Sequence, residues 1–183
     1  MLTFAVYVED HPGVLNRVAS LFRRRAFNIE SLTVGHTERA GVSRMTIVVD
    51  APEAVRPRIE ANLYKMLDVE RVESIPIDSA VHRDLALIKV SATGTTRSEV
   101  MQLVDVFRAR VVDVAPESLI LEITGTEDKI DGLIEVLKPY GVLEMVRTGR
   151  VAMTRGGEAR AAETRRVRQA TTVQQPGNIA YSV

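Results

Sequence analysis

Apolar residues recur along this chain at two spacings, which predict its secondary structure. Over residues 2–8 every second position is strongly apolar, the period of a strand with one buried face. From Val14 to Phe22 they recur every three or four residues, as on an amphipathic helix. Residues 23–25 are arginines, whose charges suit the negative end of a helix dipole. We interpret this basic run as a solvated helix end rather than a nucleic-acid contact.

The same patterns continue through the first half of the chain. Further predicted elements are strands over residues 29–35, 42–50 and 69–77, and a helix that opens at 52–53 and carries apolar residues as far as 66. A turn region around residues 38–41 joins two of these strands into a hairpin. The order β-α-β-β-α-β is that of a ferredoxin-like unit, an antiparallel sheet with both helices on one face.

The second half repeats this order in architecture rather than in letters. Its predicted elements are strands over residues 85–91, 111–114, 118–124 and a last one within 142–153, with helices over 100–107 and 130–137. The fold class is therefore α+β, with two consecutive ferredoxin-like βαββαβ domains. We predict domains at residues 1–77 and 85–157 and a linker at 78–84. Residues 158–183 lack apolar periodicity, which predicts a disordered tail.

Composition removes several classes of function. The 24 basic and 24 acidic side chains cancel, so no overall field attracts nucleic acid or an anionic membrane. Without cysteine the chain has no disulfide, thiolate metal site or thiol nucleophile, and the cytoplasm is the expected location. The N-terminus lacks a basic segment before its short apolar run, so neither a signal peptide nor a membrane span is predicted.

Residues that could carry catalysis are sparse. His11, His36 and His82 do not have metal-ligand spacing. The adjacent carboxylates of Glu9 and Asp10 point opposite ways on an extended chain and form a poor acid–base pair. With no glycine-rich phosphate loop either, we predict no catalytic residue, no metal site and no enzyme activity for the chain alone.

One junction has chemistry that suits a small ligand. Residues 10–15, Asp-His-Pro-Gly-Val-Leu, form a tight turn that brings bare amide N–H groups to a helix start, where an anion is favoured. Asp10 offers an acceptor for an ammonium group, Gly13 permits close backbone approach, and Asn28 can donate and accept. Together these groups fit an amino-acid zwitterion. The alternative, that Asp10 caps the helix and Pro12-Gly13 only shape the turn, stays open on spacing alone.

Residues in both halves resemble a known family. The pattern Asp10-x-Pro12-Gly13-Val14-Leu15 between a strand and a helix resembles the ACT domain, a small-molecule sensor of metabolic enzymes. More specific strings resemble the acetolactate synthase (acetohydroxyacid synthase) small subunit, and they occupy residues 27–34, 43–47, 87–90, 125–131 and 149–156. The resemblance covers residues 1 to about 157.

The resemblance implies a regulatory protein in valine, leucine and isoleucine synthesis. Such subunits have no cofactor of their own and bind a large catalytic subunit, where thiamine diphosphate, magnesium and FAD are expected. They activate that subunit and confer feedback inhibition by a branched-chain amino acid, here expected to be valine. The resemblance also implies a homodimer, with the effector between paired ACT domains. We expect activation to run through the second domain, because sensing occupies the first.

Matching the motifs position by position implies an effector site. Its expected residues are Asp10, Gly13, Val14, Leu15, Asn28 and Ile29. Many members have Asn where this chain has Asp10, so the extra negative charge bears on the ammonium contact and on effector choice.

Three other interpretations compete. Some βαββαβ units bind RNA through aromatic side chains on the sheet, but with four Phe, four Tyr and no Trp no paired aromatic set falls on the predicted strands. A stand-alone enzyme is possible on this scaffold, since fold does not dictate function. The nearest alternative is an ACT-type sensor for another amino-acid-metabolising enzyme.

Overall fold

The computed structural model describes residues 1–156, so the predicted tail at 158–183 lies outside the described residues. The first half contains β1 (Leu2–Glu9), α1 (Val14–Arg24), β2 (Asn28–His36), β3 (Val42–Asp50), α2 (Arg56–Leu63) and β4 (Val69–Ser74). The second half contains β5 (Ala80–Ser91), α3 (Arg97–Val106), β6 (Arg110–Val114), β7 (Ser118–Gly125), α4 (Glu127–Leu137), β8 (Val142–Arg147) and β9 (Val151–Thr154).

The first sheet is antiparallel with strand order β2-β3-β1-β4. Alternate residues of β1, including Phe4 and Val6, point to the helices and are fully buried. They pack with Phe22 of α1 and Ile59 of α2 in one core. This arrangement leaves β2 at an edge of the sheet.

The second sheet repeats the topology, with strand order β6-β7-β5-β8. Its core joins Ile88 of β5 and Leu121 of β7 to Val104 of α3 and Leu133 of α4. The prediction of an α+β fold with two ferredoxin-like βαββαβ units is therefore confirmed.

The structure departs from the predicted boundaries at both ends of the second half. Residues 78–84 were predicted to be a linker, but β5 begins at Ala80 because its first residues pair with β9, from Ala80–Thr154 to Arg83–Val151. The last predicted strand is two strands, β8 and β9. The chain turns between them at Gly149, whose φ of 83° is in the left-handed region that favours glycine.

The predicted second helix is also shorter than its apolar pattern. A 3-10 turn over Glu53–Val55 precedes α2, and α2 ends at Leu63, three residues before Met66. Met66 still packs against the first core, from the loop that follows. The apolar spacing therefore predicted correctly that Met66 contacts the core, but it placed the end of the helix too late in the chain.

Strand β9 joins the two halves by covering the helix-free face of the first sheet. Ala5 of β1, Ala80 of β5 and Ala152 of β9 are buried together with Ile75. The Arg44 guanidinium of β3 reaches across and donates from Nη2 to the Ala152 carbonyl oxygen, at 2.5 Å. Small side chains allow these strands to approach closely, so the halves share an apolar joint.

Within residues 1–156, none of the helices is long and apolar enough to cross a membrane.

Leu63 and Leu67 provide a matched test of this packing. Leu63, the last residue of α2, is fully buried, whereas Leu67 is 99% exposed in the loop that follows. Leu63→Ala should lower the free energy of unfolding by about 2–5 kcal/mol, because it removes buried methyl groups and leaves a cavity. Leu67→Ala should change it by less than about 0.5 kcal/mol. Urea denaturation followed by circular dichroism measures both, and equal effects would contradict the assigned core.

His82 makes the joint sensitive to pH. Its ring nitrogens are buried at the start of β5, and this burial, followed by repulsion from the Arg150 guanidinium, lowers the pKa of His82 below its ordinary value. The Ile77 carbonyl acts in the opposite direction, and the lowering prevails. The unfolded chain therefore binds a proton at His82 in a pH range where the folded chain does not.

Stability of the wild-type chain should consequently fall as the pH drops below about 6.5, by at most about 1.4 kcal/mol per pH unit, the limit for one proton. His82→Gln should remove this contribution, whereas His36→Gln, at an exposed position, should retain it. Urea denaturation between pH 7.5 and 5.5 measures the slopes. Identical slopes for wild type and His82→Gln would refute the assignment.

Candidate functional site

The turn between β1 and α1 begins the helix without a side-chain cap. Gly13 is the N-cap residue, with φ 91° and ψ −13°, and no side chain bonds the exposed amides there. The Asp10 carboxylate instead lies with Oδ2 3.3 Å from Nδ1 of His36, at the end of β2. The alternative in which Asp10 caps the helix is therefore wrong.

The start of α1 retains an attraction for anions. The first N–H groups of a helix have no partner within it, and these include the N–H groups of Val14 and Leu15. The first turn of α1 contains no acidic residue that would neutralise the positive end of its dipole. A ligand carboxylate at this position would meet free donors, with the Asp10 carboxylate two residues before the Pro12-Gly13 turn.

Val14 and Leu15 face in different directions. The Val14 side chain is buried in the first core, so only its backbone can meet a ligand. Leu15 is 45% exposed, which leaves an apolar surface beside the free amides.

Asn28 and Ile29 begin the edge strand β2. The Asn28 side chain is exposed, and its Nδ2 donates to the Glu30 carboxylate. Ile29 is half-buried and packs against the first core. These positions present an amide and an apolar side chain at one end of an edge strand.

Within one chain the two groups of candidate residues lie apart. Asn28 pairs with Asp50, and its neighbour Ile29 pairs with Val49, which also faces Leu2 at the start of β1. Asp10 follows the opposite end of β1. Eight residues of extended chain separate these sheet ends by about 20 Å or more. The structure therefore does not bring Asp10 and Asn28 into one pocket of a single chain.

Polar contacts that the sequence did not predict brace the β1–α1 turn. Nε2 of His11 lies 3.1 Å from Oδ1 of Asp68, in the loop before β4, and Nε of Arg17 lies 2.9 Å from Oδ2. No sequence signal pairs His11 with Asp68, because they are 57 positions apart. This brace links the turn and the first helix to the loop before β4.

Two of these residues, His11 and Asp68, form with Glu9 a group that resembles a cation site. Ligand atoms of Glu9, His11 and Asp68 lie within 4.8 Å of one another, yet the Arg17 guanidinium already neutralises Asp68. Their arrangement is explained by this ion pairing without a metal.

Tyr7, on the helix-free face of the first sheet, is covered by cations. The guanidinium carbon of Arg71 lies 3.9 Å from the ring centroid and that of Arg44 lies 5.7 Å from it. These residues line a cavity of about 530 Å³ beside β9. Because arginines occupy the space over the ring, Tyr7 does not provide the stacking platform that an RNA-binding sheet requires.

Comparison with known proteins gives the same assignment for both halves. Residues 4–71 match a family described as the AHAS small subunit-like ACT domain, and residues 83–156 match the small subunit of acetolactate synthase. A probable acetolactate synthase small subunit from Archaeoglobus fulgidus is 51% identical over 156 residues, which cover 85% of this chain and 98% of the relative. The chain belongs to the acetolactate synthase small subunit family.

Other members of the acetolactate synthase small subunit family agree in sequence and structure. The Mycolicibacterium smegmatis small subunit is 49% identical over 154 residues, covering 84% of this chain and 91% of that protein. A crystal structure of the Thermotoga maritima small subunit superposes with a TM-score of 0.81 at 40% identity, covering 85% of this chain and 98% of that one. The similarity therefore extends across both sheets.

Gly13 allows a direct test of the turn. A β-carbon would meet no atom within 4 Å at Gly13 or at Gly35 on β2, but only Gly13 has positive φ. Gly13→Ala should therefore cost about 1–2 kcal/mol of unfolding free energy through backbone strain. Gly35→Ala should be neutral or slightly stabilising, since it restricts the unfolded chain. Parallel thermal and urea unfolding compares them, and a neutral Gly13→Ala would contradict the left-handed turn.

Proposed function

We propose that this chain is the regulatory subunit of acetolactate synthase. It binds and activates the large catalytic subunit and confers feedback inhibition by a branched-chain amino acid, valine, in valine, leucine and isoleucine synthesis. Thiamine diphosphate, magnesium and FAD belong in this proposal to the catalytic subunit, and this chain has no catalytic role. Family membership of both halves supports the assignment over an ACT-type sensor of another enzyme. Location in the cytoplasm stays a prediction.

The observation that carries the sensing part is the separation of Asp10 from Asn28. A homodimer with twofold symmetry would bring the two residues together, because Asp10 of each copy would then lie near Asn28 of the other copy. Strand β2 is an edge strand, with its start at Asn28 and its end at His36. Antiparallel pairing of two β2 edges puts Asn28 of one copy beside the His36 end of the other, where Asp10 lies against His36.

The proposed dimer has two equivalent sites, and each site has separate positions for the carboxylate and the ammonium group of an amino acid. The α1 amides of one copy attract the effector carboxylate, and the Asp10 carboxylate attracts its ammonium group. Asn28 of the second copy supplies an amide, while Leu15 and Ile29 offer apolar surface for a branched side chain. Val14 contributes through its backbone N–H. Because the effector bridges two copies, its binding can favour one dimer arrangement, and coupling of about 1–3 kcal/mol is typical of such regulation.

The test mixes the chain with the thiamine-diphosphate catalytic subunit of the same organism and measures acetolactate formation with and without valine. Wild type should activate, and valine should inhibit. Asn28→Ala should lose the valine response and keep most of the activation, which we assign to the second domain. Gln102→Ala, at an exposed amide on α3, serves as the control and should retain both. No activation by wild type would refute the regulatory assignment.

Variant mixing separates a shared site from a site within one chain. Asp10→Ala and Asn28→Ala should each abolish valine binding measured by calorimetry. In a refolded equal mixture, heterodimers combine the intact loop of one copy with the intact strand of the other, so about a quarter of the sites should recover. A mixture that stays inactive would place both residues in the same site of a single chain.

A further inference from the structure

Strand β2 touches the second domain two residues beyond the proposed effector residues. The Ser31 hydroxyl accepts a hydrogen bond from the Arg150 backbone N–H, at 2.8 Å. The Thr33 hydroxyl donates to the Arg150 carbonyl oxygen, at 3.1 Å. Two side chains of one strand thus hold both backbone polar groups of a single residue in the β8–β9 turn. We call this contact the clamp.

Gly149 makes the clamp a close fit. Its φ is 83°, and a β-carbon added there would lie 2.6 Å from Oγ of Ser31 and 3.3 Å from Oγ1 of Thr33. Only glycine therefore allows the turn to approach β2 so closely. A displacement of β2 would be transmitted to the turn, because little free space lies between them.

An irregularity in β2 lies between the effector residues and the clamp. The pairing register with β3 shifts between Ile29 and Ser31, leaving Glu30 as an extra residue in the strand. This bulge lets Ile29 and Leu32 both face the first core while Ser31 and Thr33 face the second domain. Strand direction and side-chain facing at the clamp thus depend on the bulge.

Asn28 is bonded across this bulge to Glu30. The Glu30 carboxylate lines a cavity of about 150 Å³ whose other walls include Asp84, Arg147 and Arg150 of the second domain. Arg150 currently pairs with Glu127, with Nη2 2.8 Å from Oε2. A ligand that binds the Asn28 amide breaks its hydrogen bond to Glu30. The freed Glu30 carboxylate then lies next to these arginines and competes with Glu127 for Arg150.

We propose that the Glu30 bulge and the Ser31–Thr33 clamp transmit effector occupancy at Asn28 to the second domain. The inference rests on the proposed function and identifies the coupling route for the same site. Ser31 and Thr33 are positioning residues, which do not touch the effector. Removal of the clamp therefore separates effector binding from its consequence.

The test is the double variant Ser31→Ala/Thr33→Val in the full chain, assayed with the catalytic subunit. Valine affinity by calorimetry should stay within about threefold of wild type and activation within about twofold. Maximal inhibition at saturating valine should fall to less than about a fifth of the wild-type value, because bound valine no longer acts on the second domain. Ser98→Ala/Thr124→Val makes the same chemical changes at exposed positions of the second domain and should respond as wild type.

Glu30→Gln tests the charged step while keeping the side-chain size. It should bind valine and weaken maximal inhibition likewise, since the released amide lacks the charge that competes for Arg150. In wild type, hydrogen exchange of the Arg150 amide should change on adding valine, and in the clamp variant it should not.

The possible failures are distinguishable. If wild type binds valine and is inhibited while the clamp variant is inhibited to the same extent, the coupling route is overturned and the proposed function stands. A clamp variant that loses valine binding would show that these hydroxyls belong to the effector site, which also overturns the route. If wild type neither binds nor responds to valine, the sensing function fails, and the route fails with it.

Discussion

Strand β1 has both faces buried, and the arrangement of the described residues depends on this constraint. One face carries Phe4 and Val6 into the core beneath the helices. The other carries Ala5, which is covered by Ala80 and Ala152 of the second half. Burial of apolar surface contributes about 25 cal/mol per Å², so a strand that buries both faces stabilises both contacts at once. The two halves consequently share a joint built on one strand.

Covering the helix-free face determines which part of the first half can meet a partner. With that face occupied by β9 and the opposite face by α1 and α2, the edges of the sheet at β2 and β4 and the β1–α1 turn remain open. Unpaired strand edges readily recruit another strand. Strand β2 carries Glu30 as its only acidic residue and no lysine or arginine, so little charge opposes pairing with a second copy. The sensing proposal therefore uses the surface that the joint leaves available.

Sequence patterns within single strands and helices predicted which of their residues are buried. Alternation in residues 2–8 and helical spacing from Val14 to Phe22 identified core residues correctly, because burial leaves a period in the sequence. The start of β5 was missed because residues 80–84 lack a clear alternation and become a strand only by pairing with β9, about 70 positions away. At the candidate site, the motif pointed to Asp10, but its contact with His36 depends on the β2–β3 hairpin. Val14 was predicted correctly as a helix residue, but nothing in the motif shows that its side chain is buried and that only its unpaired backbone N–H is left for a ligand.

The chemistry of the proposed site limits how well it can select among amino acids. The negative charge of Asp10 favours an ammonium group on any amino acid and does not select among side chains. Selection then rests on Leu15 and Ile29, and one methylene in an apolar pocket changes binding by only about 1–3 kcal/mol. A larger difference between valine and leucine requires the pocket to reject the longer side chain sterically. Rejection needs walls that hold their positions, and in the proposed dimer the β1–α1 turn, linked to Asp68 through His11 and Arg17, forms one of them. The paired copy forms the other, so under this proposal the separation of the two β2 edges determines which branched-chain amino acid fits.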